Sequence, residues 1–251
     1  MKIGLIGAGN MATALARGWA APVLVSDPDR ARAELLASAT GGSVLSSNRE
    51  VAEAADVVIL CHKPNHLEEV AAEIDGVAKC VVSILGSVPL SDIRNSYRQS
   101  VALRVLPNLP VELKKGVLCW PVGNGTGPEA TSVRSLFAQV GTVIEMDEAL
   151  IEPAMALSSN APAFIALIAE SLVDSGIKHG LPKLLAHQLS LETLAGTAAL
   201  LELREHDTAG VQAAVASPGG STARGLAALE AAGVREAFDD ALEAVLGGKP
   251  K

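Results

Sequence analysis

A chain of 251 residues with 49% hydrophobic and 19% charged residues can build one large or two moderate domains with real cores, and it is too apolar to be disordered. A net charge of −8 with no basic stripe excludes the electrostatic footprint of a nucleic-acid binder. Aromatics make up only 2%, which leaves the core to Ala, Leu, Val and Ile.

The opening MKIGLIGAG is too short an apolar run for a secretory leader. No stretch reaches about 18 uninterrupted apolar residues, so no membrane span is expected. Three widely spaced cysteines, Cys61, Cys80 and Cys119, cannot all pair; together these features predict a reducing, cytoplasmic location.

In chain order, short aliphatic runs predict strands at 2–6, 23–26, 56–60, 80–84, 101–105, 117–121 and 142–146. Helical patterns at 11–19, 29–39, 65–75 and 129–139 lie between several of them. Such alternation predicts right-handed βαβ units and a doubly wound, mostly parallel sheet, with late edge strands possible in the antiparallel sense. After Leu150 the strand signals stop. Residues 162–175, 182–205 and 222–246 read as helices, punctuated by Gly176, Gly180 and a Ser-Pro-Gly-Gly turn. The division expected is an α/β domain over 1–150 followed by an all-helical domain over 151–251. Much of 184–201 is apolar on more than one face and demands burial on every side, so a second copy of the chain is the expected partner.

Gly7-Ala8-Gly9-Asn10-Met11-Ala12 follows the first strand and opens the first helix. GxGxxA in that place is where a dinucleotide pyrophosphate rests on backbone N–H groups. Gly7 allows the tight turn, Gly9 the close approach, and Ala12 the packing of helix on strand. Gly7, Gly9, Asn10 and Met11 are therefore candidate cofactor contacts in a Rossmann-type domain. Asp27 lies 20 residues after Gly7, where an acid binds the ribose hydroxyls of NADH and repels a 2′-phosphate. Ser26, Arg30 and Arg32 stand close enough to hold that phosphate instead. Asp27 could also simply cap the helix after Pro28. NADPH and NADH both stay open.

Ser217-Pro218-Gly219-Gly220-Ser221-Thr222 leads directly into a helix. Free N–H groups, the helix dipole and bare glycine backbone make such a mouth an anion site, although a hydroxyl N-cap has the same look. Glu170 and Asp174, spaced i,i+4, read as helix surface, and no metal site is expected.

GLIGAGNMATALARG at the start, RVLPNLP at 104–110, LSSNAPAF at 157–164 and SPGGSTARGLAALEAAGVR at 217–235 resemble, in that order, the segments of pyrroline-5-carboxylate reductases. The resemblance spans essentially the whole chain, and its C-terminal signature is more specific than the glycine turn. It implies reduction of the cyclic imine 1-pyrroline-5-carboxylate to L-proline by NADPH or NADH. It also implies a helical domain that interlocks with a second subunit.

On that resemblance, the substrate carboxylate sits against Ser217, Gly219, Gly220, Ser221 and Thr222, with Thr222 near the imine nitrogen. Lys63-Pro64 matches the family's loop over the nicotinamide, which makes Lys63 and Thr222 the residues expected beside the reacting atoms. Asn108 would contact cofactor or substrate. The sequence departs from the family in three places. His62 stands where an aliphatic residue is common, and reads either as a proton source or as a solvated loop residue. Leu109 replaces a threonine. Ser158-Ser159-Asn160-Ala161-Pro162-Ala163 replaces Ser-Gly-Ser-Gly-Pro-Ala, which keeps open a reductase of another small cyclic imino acid, or a nucleotide-binding paralogue that forms no proline.

Overall fold

The structure is a computed structural model and describes residues 1–247. Two compact units follow one another along the chain, Met1–Asn160 and the residues from Ala161 onward. Residues 248–251 of the expected helical domain lie outside the described residues.

In the first unit β1 (Ile3–Ile6), α1 (Asn10–Trp19), β2 (Val23–Ser26), α2 (Arg30–Thr40), β3 (Ser43–Val44), α3 (Asn48–Ala54), β4 (Val57–Leu60), α4 (Leu67–Ile74), β5 (Cys80–Ser83), α5 (Leu90–Ser96) and β6 (Val101–Arg104) form one layered body. Its six strands lie in the order β3-β2-β1-β4-β5-β6 and every pair is parallel. β1, β4 and β5 are buried at every position. That is why they read as continuous aliphatic runs without alternation: a parallel sheet is covered on both faces. Alternate residues of β1 divide between two cores. Ile3 and Leu5 pack with Leu15, Leu36 and Phe137, and Ile6 with Val51, Val70 and Ile93. The small residues of α1, Ala12, Ala14 and Ala16, are fully or almost fully buried and bring that helix close to the strands.

β7 (Leu106–Pro107), β8 (Gly116–Pro121), α6 (Pro128–Ala138) and β9 (Gly141–Met146) follow. These three strands make a separate sheet in which β7–β8 is antiparallel and β8–β9 parallel. α7 (Ile151–Met155) then runs into a π-helical turn, Ala156–Asn160. The second unit holds α8 (Ala161–Lys178), α9 (Lys183–Leu203), α10 (Thr208–Val215), α11 (Ser221–Ala231) and α12 (Val234–Val245).

Six elements were not foreseen: β3, α3, α5, β7, α7 and α10. α3 starts on a capping box, with Ser47 Oγ accepting the Glu50 N–H while Glu50 reaches back to Ser46. The helix expected over 222–246 is two helices, because Gly233 takes a left-handed φ of +74° between them.

Candidate active site

Gly7 carries the turn after β1. Its φ is +104°, and a Cβ there would stand 2.7 Å from the Cys61 carbonyl oxygen, so both conformation and space demand glycine. At Gly9, the N-cap of α1, a Cβ would meet nothing within 4 Å, and no side chain caps the helix. The first N–H groups of α1 therefore open onto free space, the arrangement that receives a phosphate. Asn10 and Met11 form the first turn beside it.

The sheet's order places this turn where the topology reverses, between β1 and β4, the usual site of a ligand crevice. A cleft of about 450 Å³ opens there, walled by Gly7, Gly9, Ser26, Asp27, Arg32 and Lys63 among others. Five of these, Gly7, Gly9, Ser26, Asp27 and Lys63, were named from the sequence as cofactor contacts. Asn48, His66, Glu69 and Glu73 also line the wall and were missed. Asn48 and Glu73 lie on α3 and α4, and no local motif marks them. Pro64 begins the 3-10 turn Pro64–His66 that Lys63 caps.

Asp27 does not cap α2. That task falls to Asp29, whose carboxylate accepts the N–H groups of Ala31 and Arg32. Asp27 instead accepts the Ala8 N–H at 2.6 Å and the Asp29 N–H at 2.7 Å, tying the glycine turn to the end of β2.

His62 is half-buried, so it is not the solvated loop residue weighed above. Its Nδ1 lies 2.9 Å from the Lys63 carbonyl. A carbonyl only accepts, so Nδ1 carries the hydrogen. Nε2 is buried without a partner among the described residues. Burial pushes the imidazole below its usual range, and the nearby His66 adds to this; the Lys63 carbonyl and Glu69 oppose it. A neutral imidazole with an enclosed Nε2 is a poor proton source.

Asn108 is 6% exposed and spends its side chain on backbone. Oδ1 accepts the Val117 N–H at 2.8 Å, and Nδ2 donates to the Ser158 carbonyl at 3.0 Å. Pro162 has no N–H to offer that carbonyl four residues back, and the Asn108 amide gives it a donor. Both polar atoms of the side chain named above for a cofactor or substrate contact are thus bonded to backbone. Ser158 is itself tucked in, its Oγ donating to the Ala154 carbonyl at 2.8 Å. Leu109 is 49% exposed. Nearby, buried Arg104 pairs with Glu148, which also accepts the Leu90 N–H.

In the second unit Gly219 has φ +72°, and a Cβ on Gly220 would stand 2.6 Å from Ser217 Oγ. Gly220 is the N-cap of α11, and no side chain caps it. The turn closes through Gly220 N–H to the Ser217 carbonyl at 2.9 Å. Ser217 and Ser221 are exposed and Thr222 half-buried, so the hydroxyls and the first N–H groups of α11 stay available. Arg224 Nη1 donates to the Gly219 carbonyl at 2.9 Å, which adds a cation to the mouth. Its place inside the signature was the signal available. Glu205 and His206, both with positive φ, form an unforeseen strained pair before α10, of the kind that clusters at functional sites.

Residues 2–87 match the family model described as NADP oxidoreductase, coenzyme F420-dependent, and residues 148–248 match that of pyrroline-5-carboxylate reductase dimerisation. A pyrroline-5-carboxylate reductase from Synechocystis is 34% identical over 254 residues, covering 97% of this chain and 95% of that protein. The chain belongs to the pyrroline-5-carboxylate reductase family. The Thermus thermophilus reductase is likewise 34% identical, with 97% and 95% covered. Among solved structures, the Plasmodium falciparum pyrroline carboxylate reductase with NADP bound superposes with a TM-score of 0.88 at 27% identity, covering 98% of this chain and 96% of that one. The chain is thus an NAD(P)H-dependent oxidoreductase with a Rossmann-like domain and a family dimerisation region.

Proposed function

We propose that the chain reduces 1-pyrroline-5-carboxylate to L-proline, with Gly7, Gly9, Asn10, Met11, Ser26, Asp27, Lys63 and Pro64 lining the cofactor's place and Ser217, Gly219, Gly220, Ser221 and Thr222 holding the substrate carboxylate. The observation that carries this reading is the conjunction of two uncapped helix mouths, α1 behind the Gly7 turn and α11 behind the Gly219-Gly220 turn, in a chain of this family. One suits a pyrophosphate and the other a carboxylate.

When bound, the reduced nicotinamide supplies the hydride for the imine carbon. Alignment and water exclusion fall to the chain. The α11 mouth fixes the carboxylate and so the face of the ring. The Thr222 hydroxyl is too weak an acid to protonate the ring at neutral pH, so it orients the imine nitrogen by a hydrogen bond. Lys63, exposed on its loop, completes the cover at the reacting end. Asn108 acts at one remove, through the Ser158 carbonyl.

We put the working domain boundary near residue 150, which the end of β9 at Met146 and the start of the dimerisation match at 148 support, although by compactness residues 151–160 stay with the first unit. The active form is a homodimer or an assembly of dimers. Ile165, Leu167, Leu184 and Leu191 on α8 and α9 are 53–82% exposed in the single chain, a surface that a partner's helices would cover. The helical run Glu148–Lys178 is long and apolar enough to cross a membrane by composition alone, but the dimerisation match spans it, so another chain is its cover. Unpaired Cys61, Cys80 and Cys119 support a cytoplasmic location.

Steady-state oxidation of NADPH and NADH with pyrroline-5-carboxylate and with its six-membered homologue tests the activity. Turnover on the five-membered imine is expected. Turnover on the six-membered imine alone, or on neither while nucleotide still binds, would overturn it.

A further inference from the structure

The wall of the cofactor cleft at the end of β2 is acidic, and the two arginines that follow Asp27 in the chain, Arg30 and Arg32, are engaged in ion pairs. Asp27 is half-buried there. Two backbone N–H groups hold its oxygens, one of them from Ala8 in the middle of the glycine turn. The carboxylate is therefore fixed relative to the place of the pyrophosphate. Each oxygen keeps one lone pair free, which suits an incoming hydroxyl donor and opposes an anion.

The groups beside Asp27 that could receive a 2′-phosphate already have partners. The Ser26 hydroxyl is buried and bonded to Asn48 Oδ1 at 2.7 Å. The Asn48 amide donates to Glu73 at 2.8 Å. Arg30 pairs with Glu34 at 2.8 Å and Arg32 with Asp29 at 3.2 Å. Glu69 and Glu73 project from α4 into the same wall as Asp27, and His66 is held by Glu69 at 2.8 Å. The carboxylates of Asp27, Glu69 and Glu73 thus share one cleft wall.

We infer that Asp27 makes this chain favour the dinucleotide with a free 2′-hydroxyl, NADH, over the one with a 2′-phosphate. The inference rests on the cofactor reading above and narrows it, and it sets this chain apart from the relative solved with NADP bound. The alternative within the same cleft is that Arg32 leaves Asp29 for the phosphate, at the loss of an exposed ion pair that contributes little.

Dissociation constants of NADH and NADPH, measured by nucleotide fluorescence at one fixed ionic strength, decide between them. The variants are D27S, D27N and R32A. The wild type is expected to bind NADH about tenfold or more tightly than NADPH, the effect of one like charge at a screened, half-buried site. D27S should close most of that gap by gaining affinity for NADPH, and R32A should leave the ratio within about twofold.

D27N keeps the side chain's shape and one acceptor. It decides the matter if D27S loosens the turn and binds neither nucleotide. Equal binding by the wild type, or a preference for NADPH that R32A abolishes, would overturn the inference while leaving the cofactor reading intact. Binding of neither nucleotide by the wild type would overturn both.

Discussion

Asn108→Ala separates a bracing residue from a contact residue. The asparagine satisfies two backbone groups, the Val117 N–H and the Ser158 carbonyl, and Pro162 offers the second no N–H four residues on. Each buried group left without a partner costs about 1–3 kcal/mol. Because Val117 is only partly buried, the lower half of the combined range applies, roughly 2–4 kcal/mol. Against a typical total of about 5–15 kcal/mol, that loss is easily read in a urea transition followed by tryptophan fluorescence, since Trp19 and Trp120 are both buried in the first unit.

Asn108→Asp sharpens the test. It keeps an acceptor for Val117 but turns a carboxylate oxygen toward the Ser158 carbonyl, so it should destabilise at least as much as alanine does. NADH affinity of the folded alanine variant should stay within about twofold, because neither bonded group belongs to the cleft wall. A loss below about 1 kcal/mol, or a tenfold weakening of nucleotide binding at unchanged stability, would refute the bracing argument.

Gly7→Ala should abolish measurable nucleotide binding and lower the melting temperature, since the new methyl meets the Cys61 carbonyl at a φ of +104°; retention of wild-type affinity would contradict the turn's role. Thr222→Ala should reduce turnover while nucleotide affinity stays near wild type, and an equal loss of both would move α11 to the cofactor. His62 titrates lower in the fold than its ordinary 6.5, so between those two values the unfolded chain binds more protons and stability falls as pH is lowered. Thermal melts from pH 7.5 downward should therefore show a steeper loss for wild type than for His62→Val; parallel curves would remove His62 from the account.

The doubly wound sheet was legible because the pressure on each strand is simple: covered on both faces, β1, β4 and β5 must be apolar or small at almost every position. The glycine turn was legible because Gly7 has no substitute at that backbone angle. β3 escaped notice because two residues, Ser43 and Val44, carry no periodicity. α3 announced itself only through the capping pair Ser47 and Glu50. Asn108 was visible as a polar residue between two prolines, but its task was not. Nothing local to RVLPNLP reveals that a proline 54 residues later leaves a carbonyl wanting a donor. The substitutions at 158–163 could be counted in the sequence, yet their accommodation in a π-helical turn depends on where Ser158 and Asn108 meet. His62 was readable as an odd residue, but not as one whose second nitrogen would be enclosed.

The bond between Ala8 and Asp27 gives one side chain two duties under the cofactor preference we infer, shaping the glycine turn and reading the ribose. A lineage seeking the other dinucleotide therefore cannot change this position for free: removing the carboxylate that repels a phosphate also frees the backbone amide that the carboxylate restrains. Such a change becomes accessible only after some other substitution has raised stability enough to absorb the loss. Cofactor choice in this chain is then historically contingent. The order in which mutations arrive decides whether the switch is tolerated, and homologues that made it should carry a second acceptor for that amide.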